Sequence, residues 1–177
     1  MAKKVTVTEN GKHLRIIDVT WSRYSIESLF LEPATLGGWL LPHLDPYLDP
    51  ADGDALRSTI AEAVRAADQE ESLIDDAVDG RLSFHRRPDA NHKISDEKTA
   101  LAAARADVRK DPAVWQHGKQ RAKFVLTRVR ESLGRAAHPI RGGLTDLIRD
   151  AATDSLGDPT VVVPDEIRAF LDAMVAG

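Results

Sequence analysis

Apolar residues recur every three or four positions along most of the chain, which places them on one face of an α-helix. This spacing predicts helices over 25–31, 54–79, 95–110, 112–137, 144–156 and 164–174, with a further short apolar element over 36–41. The pattern weakens at Glu70-Glu71, so a break in the 54–79 helix stays open, and Gly80 is expected to end that helix. Residues 81–94 show no period and are predicted to form a loop.

The N-terminal residues follow a period of two instead. Val and Thr alternate over 5–8, alternation returns over 14–16, and Asn10-Gly11 between them favours a type I′ turn because both residues tolerate positive φ. We therefore expect a β-hairpin over 4–20. Because an isolated hairpin is only marginally stable in water, it should pack on the helices. The β-branched residues near 160–163 could add a third short strand.

The length and composition of the chain are those of a single domain. The chain has 177 residues, of which 42% are hydrophobic, so it can bury a core without a metal or a disulfide. The predicted fold is mainly α and spans 1–177: a bundle of six or seven helices (25–177) with the hairpin (4–20) packed on it. The rich use of Ala, Arg and Asp resembles that of proteins from high-GC bacteria.

Several classes of protein are disfavoured by what the sequence lacks. It contains no cysteine, which removes disulfides, thiolate zinc sites and a cysteine nucleophile, and suits a reducing cytoplasm. No long apolar run follows the first residues, and none reaches the length of a membrane span, so we expect neither a signal peptide nor a membrane partner. The expected location is cytoplasmic.

Charge is sorted into blocks along the chain. Residues 45–80 contain eleven acidic and two basic residues, a net charge of −9, whereas 116–141 contain seven basic and one acidic residue, a net charge of +6. Residues 142–177 have seven acidic and two basic residues, a net charge of −5. Such sorting indicates either that the acidic and basic helices pair or that a basic surface faces outward and binds an anion.

The basic helix over 112–137 is the first candidate site. Its apolar stripe includes Gly118 and Ala122, whose small size predicts close approach by another helix. Residues seven apart nearly superpose on a helix, so one row on the flank of this stripe consists of Arg121, Arg128 and Arg135. The other flank holds Lys119, Lys123 and Arg130. The arginine row could contact phosphates, or it could be a solvated face or pair with the acidic helix.

The loop over 81–93 is the second candidate site. Its basic residues, which could clamp an anion, are Arg86, Arg87, His92 and Lys93. Phe84 beside them could stack on a base, and long loops often have functional roles. The competing interpretation is a solvated connector with Phe84 in the core.

Catalytic and metal motifs are absent from the sequence. The six histidines form no i, i+4 pair, the aspartates over 49–54 do not have EF-hand spacing, and no nucleophile, P-loop or dinucleotide motif occurs. We therefore predict no catalytic residue, no metal and no cofactor. Arg141-Gly142-Gly143 before a helix could hold one phosphate, although a simple helix-to-helix turn is the favoured interpretation.

Three functional hypotheses follow, in order of support. The first is a non-enzymatic cytoplasmic interaction protein, an accessory or regulatory subunit that binds a protein partner or a second copy of itself through charge-segregated helix faces. The second is a nucleic-acid-binding protein that contacts phosphates through the 112–137 helix and the 81–93 loop. The third is an enzyme acting on a small anionic substrate near that loop, with His85, Arg86 and His92 in the site.

Overall fold

A computed structural model describes residues 4–10, 14–20, 25–44, 53–85, 96–154 and 163–175, and side-chain surroundings within 25–44, 53–83, 96–149 and 163–175. The strands are β1 (Lys4–Asn10) and β2 (Leu14–Thr20). The α-helices are α1 (Pro33–Leu40), α2 (Gly53–Gln69), α3 (Glu71–His85), α4 (Glu97–Lys110), α5 (Pro112–Trp115), α6 (Gly118–Leu133), α7 (Leu144–Asp154) and α8 (Asp165–Val175). Short 3-10 helices span Ile26–Leu31, Leu41–His43 and Gly134–Ala137.

The mainly α class is confirmed for the part of the chain that the structure describes. β1 and β2 run antiparallel, with Lys4 opposite Thr20 and Asn10 opposite Leu14. That a stable hairpin packs on the helical body stays a prediction, as does the single-domain organisation. Residues 160–162 of the predicted third strand lie outside the described residues, and Val163 belongs to no strand. None of the described helices combines the length and apolar character needed to cross a bilayer.

The main core lies where α2 packs against α1 and α6. Its fully buried side chains, which come from these three helices, include Leu36, Leu40, Leu56, Ile60, Val125, Leu126 and Val129. Phe30 of the first 3-10 helix joins them, with its ring centroid 5.1 Å from that of Trp39. Burying apolar side chains of this size stabilises the fold by about 1.5–3 kcal/mol each, which explains why the apolar stripes predict these helices well.

A second cluster joins α3 to α4 through Ile74, Ala77, Val78, Leu82, Ala104 and Val108. The expectation that Gly80 ends the acidic helix, with a loop from residue 81, is wrong for 81–85, because α3 continues to His85. Glycine inside a helix costs about 0.5–1 kcal/mol. Leu82 is 2% exposed, and its burial stabilises the continued helix by more than that cost.

The predicted acidic helix is divided at Glu70, where the apolar pattern weakens. α2 ends at Gln69 and α3 begins at Glu71, while the N–H of Glu70 donates to the carbonyl of Ala67 at 3.3 Å. The break that the sequence left open is therefore present.

The predicted continuous helix over 112–137 is wrong, because it is interrupted after Trp115. Gln116 has extended backbone (φ −69°, ψ 143°), and α6 begins at Gly118. The side chain of Gln116 is fully buried and its Nε2 donates to the carbonyl of Ala67 at 2.9 Å. That carbonyl lies in the last turn of α2, where helical partners are missing, so a contact far away in sequence overrides the local helical pattern.

Gly118 provides the close approach that its small size predicts, although its neighbour is a 3-10 helix. A Cβ at this position would overlap the hydroxyl of Ser25, directly before the 3-10 helix Ile26–Leu31, and would lie 3.1 Å from Cβ of Glu27. Only glycine lets α6 begin here without displacing that segment.

α4 begins at Glu97, two residues after the predicted start at residue 95. Residue 95 lies outside the described residues, and the helix is capped by Asp96, which accepts hydrogen bonds from the N–H groups of Lys98 and Thr99 at 3.1 and 3.2 Å. The hydroxyl of Thr99 donates to the same carboxylate at 2.6 Å. These bonds, first that of the Thr99 side chain, hold the pKa of Asp96 below its usual value.

Candidate functional site

The predicted loop site cannot be located in the structure. Arg86, Arg87, His92 and Lys93 lie outside the described residues. The part of the loop hypothesis that rests on them stays a prediction.

Arg121 of the arginine row points into the protein. Its side chain is 3% exposed, and its Nη2 lies 2.6 Å from Oδ1 of Asp68 on α2. Its Nη1 donates to Oε1 of Gln116 at 2.6 Å. Arg121 therefore joins the basic helix to the acidic one, as the internal-pairing interpretation expects. Because its side chain is buried, it is not part of an exposed phosphate-binding row.

The other two arginines of that row are exposed. The guanidinium of Arg128 lies 5.5 Å from the ring centroid of Phe124 and 3.7 Å from the carboxylate of Glu131. Arg135 follows the end of α6, within the 3-10 helix Gly134–Ala137, where the helical phase has changed. The three arginines consequently do not form one accessible row, and a role for Arg128 and Arg135 in binding stays a prediction.

Most paired carboxylates of α3 face α4 rather than α6. Arg105 Nη2 lies 2.8 Å from Glu71 and 2.5 Å from Asp75, and Arg109 Nη2 lies 2.6 Å from Glu71. The hydrogen bonds from Arg105 and then Arg109 hold the pKa of Glu71 below its usual value. One pair has its arginine on α3 and its carboxylate on α4, since Arg81 lies 2.6 Å from Asp107. The guanidinium carbon of Arg81 also lies 4.3 Å from the ring centroid of Trp115.

The other flank of α6 forms a basic groove, which we define by Lys119, Lys123 and Arg130. At 100° per residue these positions fall within an arc of about 40°. They line a cavity of about 330 Å³ between α6 and the start of α7, and Lys119 also lines an adjoining cavity beside Ser25 and His117. Within the described part of the chain, neither lysine forms an ion pair, although Glu27 lines the same cavities. The groove therefore presents uncompensated positive charge.

Apolar side chains form the floor of the basic groove and a glycine pair closes its end. The floor residues are Ala122, Leu126 and Leu144. Arg130 donates to the carbonyl of Gly142, while its buried Nε has no hydrogen-bond partner within the described residues. Gly142 adopts φ +77°, and the N–H of Gly143 donates to Oδ2 of Asp146 at 3.0 Å. The Gly-Gly turn thus forms one end of the groove. Its Gly143 N–H is already bound to Asp146, so it is not available to bind a phosphate.

The structure distinguishes the two basic flanks of α6, because Arg121 of the arginine row is buried, whereas Lys119 and Lys123 are exposed. Periodicity identifies two basic rows, one on each side of the apolar stripe, and the arginine row is the predicted site because guanidinium groups bind phosphate oxygens bidentately. Which row faces the acidic helix depends on the packing of α2 against α6, and periodicity contains no information about that packing. The signal that favours the lysine flank is chemical, since lysine is the less readily buried cation.

Neither a metal centre nor a known relative adds to this description. Within the described ranges, no group of three His, Asp or Glu side chains is arranged to hold a metal ion. No protein-family model, curated protein or solved structure matches the chain. Function must therefore be argued from the site alone.

Proposed function

We propose that this protein is a non-enzymatic interaction protein whose basic groove binds an acidic, partly apolar segment of a partner protein. The supporting observation is the row of Lys119, Lys123 and Arg130 along a groove, with no ion pair to either lysine in the described part of the chain. By contrast, Arg105 and Arg121 form ion pairs with carboxylates of the same chain. Charge complementarity of this kind favours association with an acidic surface.

The size of the groove suits a short peptide segment. Lys119 and Arg130 are eleven residues apart on α6, which corresponds to about 16 Å along the helix axis. An extended peptide covers this distance in about five residues. Acidic side chains of such a segment would meet the cations, and an apolar side chain between them would cover the floor formed by Leu126 and Leu144.

The composition of the groove favours a protein partner over a nucleic acid. The described lining of the 330 Å³ cavity includes no Phe, Tyr or Trp on which a base could stack. The whole chain has a net charge of −4, whereas nucleic-acid-binding domains are usually basic. Binding of nucleic acid through Arg128, Arg135 and the 81–93 loop remains the alternative, as do self-association and an enzyme near that loop.

Fluorescence anisotropy tests the proposal directly. The full chain is titrated into a short labelled peptide in which glutamates alternate with leucines, at about 50 and 200 mM salt, where exposed charge pairs are increasingly screened. We expect saturable binding that weakens with salt. The variant Lys119→Gln/Lys123→Gln should lower the affinity by about tenfold, because each exposed pair contributes up to about 1 kcal/mol.

The matched control removes the same charge from the opposite flank. Arg128→Gln/Arg135→Gln should leave peptide affinity within about twofold, because these side chains lie outside the groove. A labelled single-stranded DNA is titrated in parallel. Equal loss of peptide binding in both variants would contradict the proposal. Tighter binding of the DNA, lost in the control variant, would favour the nucleic-acid alternative.

A further inference from the structure

A second cavity, of about 360 Å³, lies where the end of the 3-10 helix Ile26–Leu31 meets α6 and the start of α8. We call it the acidic cavity. No described residue lines both this cavity and the basic groove. The apolar part of its lining comes from Leu29, Leu31, Pro33, Val64, Ala113 and Pro164. Its volume lies within the range of small-ligand sites.

The hydroxyl of Ser28 is an unsatisfied group in this cavity. Ser28 is 8% exposed and lines the cavity, and its Oγ has no hydrogen-bond partner within the described residues. A hydroxyl offers one donor and two acceptor sites, and buried polar groups in native proteins are nearly always hydrogen-bonded. The hydroxyl is therefore available to bind a polar group that enters the cavity.

The charged residues around the cavity indicate the charge of the ligand that would fit it. Three carboxylates line it, those of Glu32, Asp165 and Glu166, against the single guanidinium of Arg121. Asp68 already compensates that guanidinium at 2.6 Å. Glu32 and Asp165 are exposed and form no ion pair in the described part of the chain. The carboxylates of Glu32 and Asp165 therefore leave an excess of negative charge, so the cavity favours a cation.

We propose that the acidic cavity binds a primary alkylammonium group. The ammonium would donate to Ser28 Oγ and to the carboxylates of Glu32 and Asp165, while its methylene chain packs against Leu31 and Val64. Two sources supply this chemistry: a free diamine, or a lysine side chain from a partner protein. The inference does not depend on the basic groove, which takes the opposite charge.

Titration followed by amide chemical shifts in the full chain tests this proposal. The probes are 1,4-diaminobutane and a doubly capped lysine, with 1,4-butanediol as the uncharged probe of similar length. We expect saturable shifts at amides around Ser28, Val64 and Glu166 with at least one amine and not with the diol. The amine that binds more tightly identifies the source.

Two variants examine the contacts. Glu32→Gln/Asp165→Asn should weaken amine binding by about three- to tenfold, because each exposed charge pair contributes up to about fivefold. Glu62→Gln/Asp76→Asn removes the same charge from exposed positions outside the cavity and should leave the affinity unchanged. Ser28→Ala should weaken amine binding while leaving the urea midpoint equal or higher, since it removes an unsatisfied buried hydroxyl.

Three results would overturn the proposal. These are no saturable shift with either amine, equal binding of the diol, and equal weakening in the cavity and control variants, which would indicate diffuse counter-ion association. Ser28→Ala with unchanged amine affinity would overturn the placement of the ammonium at the hydroxyl.

Discussion

At the scale of single residues, the buried guanidinium of Arg121 is held by one carboxylate and one neutral amide. It is bound by Asp68 on one side and by Gln116 on the other, and Gln116 in turn binds the carbonyl of Ala67. Burying an ion costs several kcal/mol unless partners of this kind are present. The three side chains therefore act together, at the point where the breaks between α2 and α3 and between α5 and α6 meet.

Removal of Asp68 should be more harmful than removal of the whole pair. We expect Asp68→Ala to lower the free energy of unfolding by about 2–3 kcal/mol, less than the loss for a fully buried pair because the Asp68 side chain is 35% exposed. Asp68→Ala/Arg121→Met should recover at least half of this loss, since no buried charge is left alone. Urea unfolding measures both, and additive losses would contradict the interpretation.

Two glycines should respond to alanine in opposite directions. Gly118→Ala should destabilise the protein by about 1–3 kcal/mol, because the new Cβ overlaps Ser25. Gly38→Ala lies within α1 with no atom within 4 Å of the new Cβ, so it should stabilise by about 0.5–1 kcal/mol. Thermal unfolding of the two variants provides the comparison. A stabilised Gly118→Ala would show that the close approach is not required.

At the scale of elements, the sequence predicted helices wherever one stripe of apolar residues is buried. It indicated the break at Glu70, but it ended α3 too early, because Gly80 is a local signal while Leu82 is buried against another helix. It missed the break at Gln116 for the same reason, since the partner of that side chain lies 49 residues away. Local signals locate elements, and distant contacts decide where they end.

The contact between α3 and α4 should make stability depend on pH through Glu71. Its pKa is lowered in the folded state by Arg105 and Arg109, so its contribution is present above about pH 4.3, the usual pKa of glutamate, and is lost as the pH falls through the lowered value. The stability advantage of the native chain over Glu71→Gln should therefore shrink from pH 5 to pH 3. Urea midpoints across this range measure it.

A control for this pH effect is Glu62→Gln, which removes an exposed carboxylate of α2 that has no ion pair within the described residues. An advantage of the native chain over Glu71→Gln that grows as the pH falls would contradict the assigned pairing.

At the scale of the whole molecule, some of the sorted charges pair with each other and others remain on the surface. Some acidic side chains of α2 and α3 bind arginines of α4 and α6, whereas the lysines of the basic groove have no ion pair among the described residues. The sequence established that the charge was sorted and that α6 was basic on two flanks. It could not decide which flank is buried, because that choice depends on how α2 and α6 pack in three dimensions.

Like charges held in the basic groove should reduce stability at low salt. We expect Lys119→Gln/Lys123→Gln to raise the free energy of unfolding by about 0.3–1 kcal/mol at about 50 mM salt. The gain should vanish near 1 M salt, where the Debye length falls to about 3 Å. Urea unfolding at both salt concentrations tests this. An equal gain in Arg128→Gln/Arg135→Gln would argue against a local origin in the groove.

The hydrogen bond from Gln116 to Ala67 also affects the order in which a growing chain can fold. While only α1 to α4 have been synthesised, the last turn of α2 lacks both the Gln116 amide and the Arg121 guanidinium, and the apolar face that α6 will cover is open. The cluster between α3 and α4 is complete by then except for the contact from Trp115. On the ribosome, the cluster between α3 and α4 can therefore assemble before the main core, which is completed only after α6 has been synthesised.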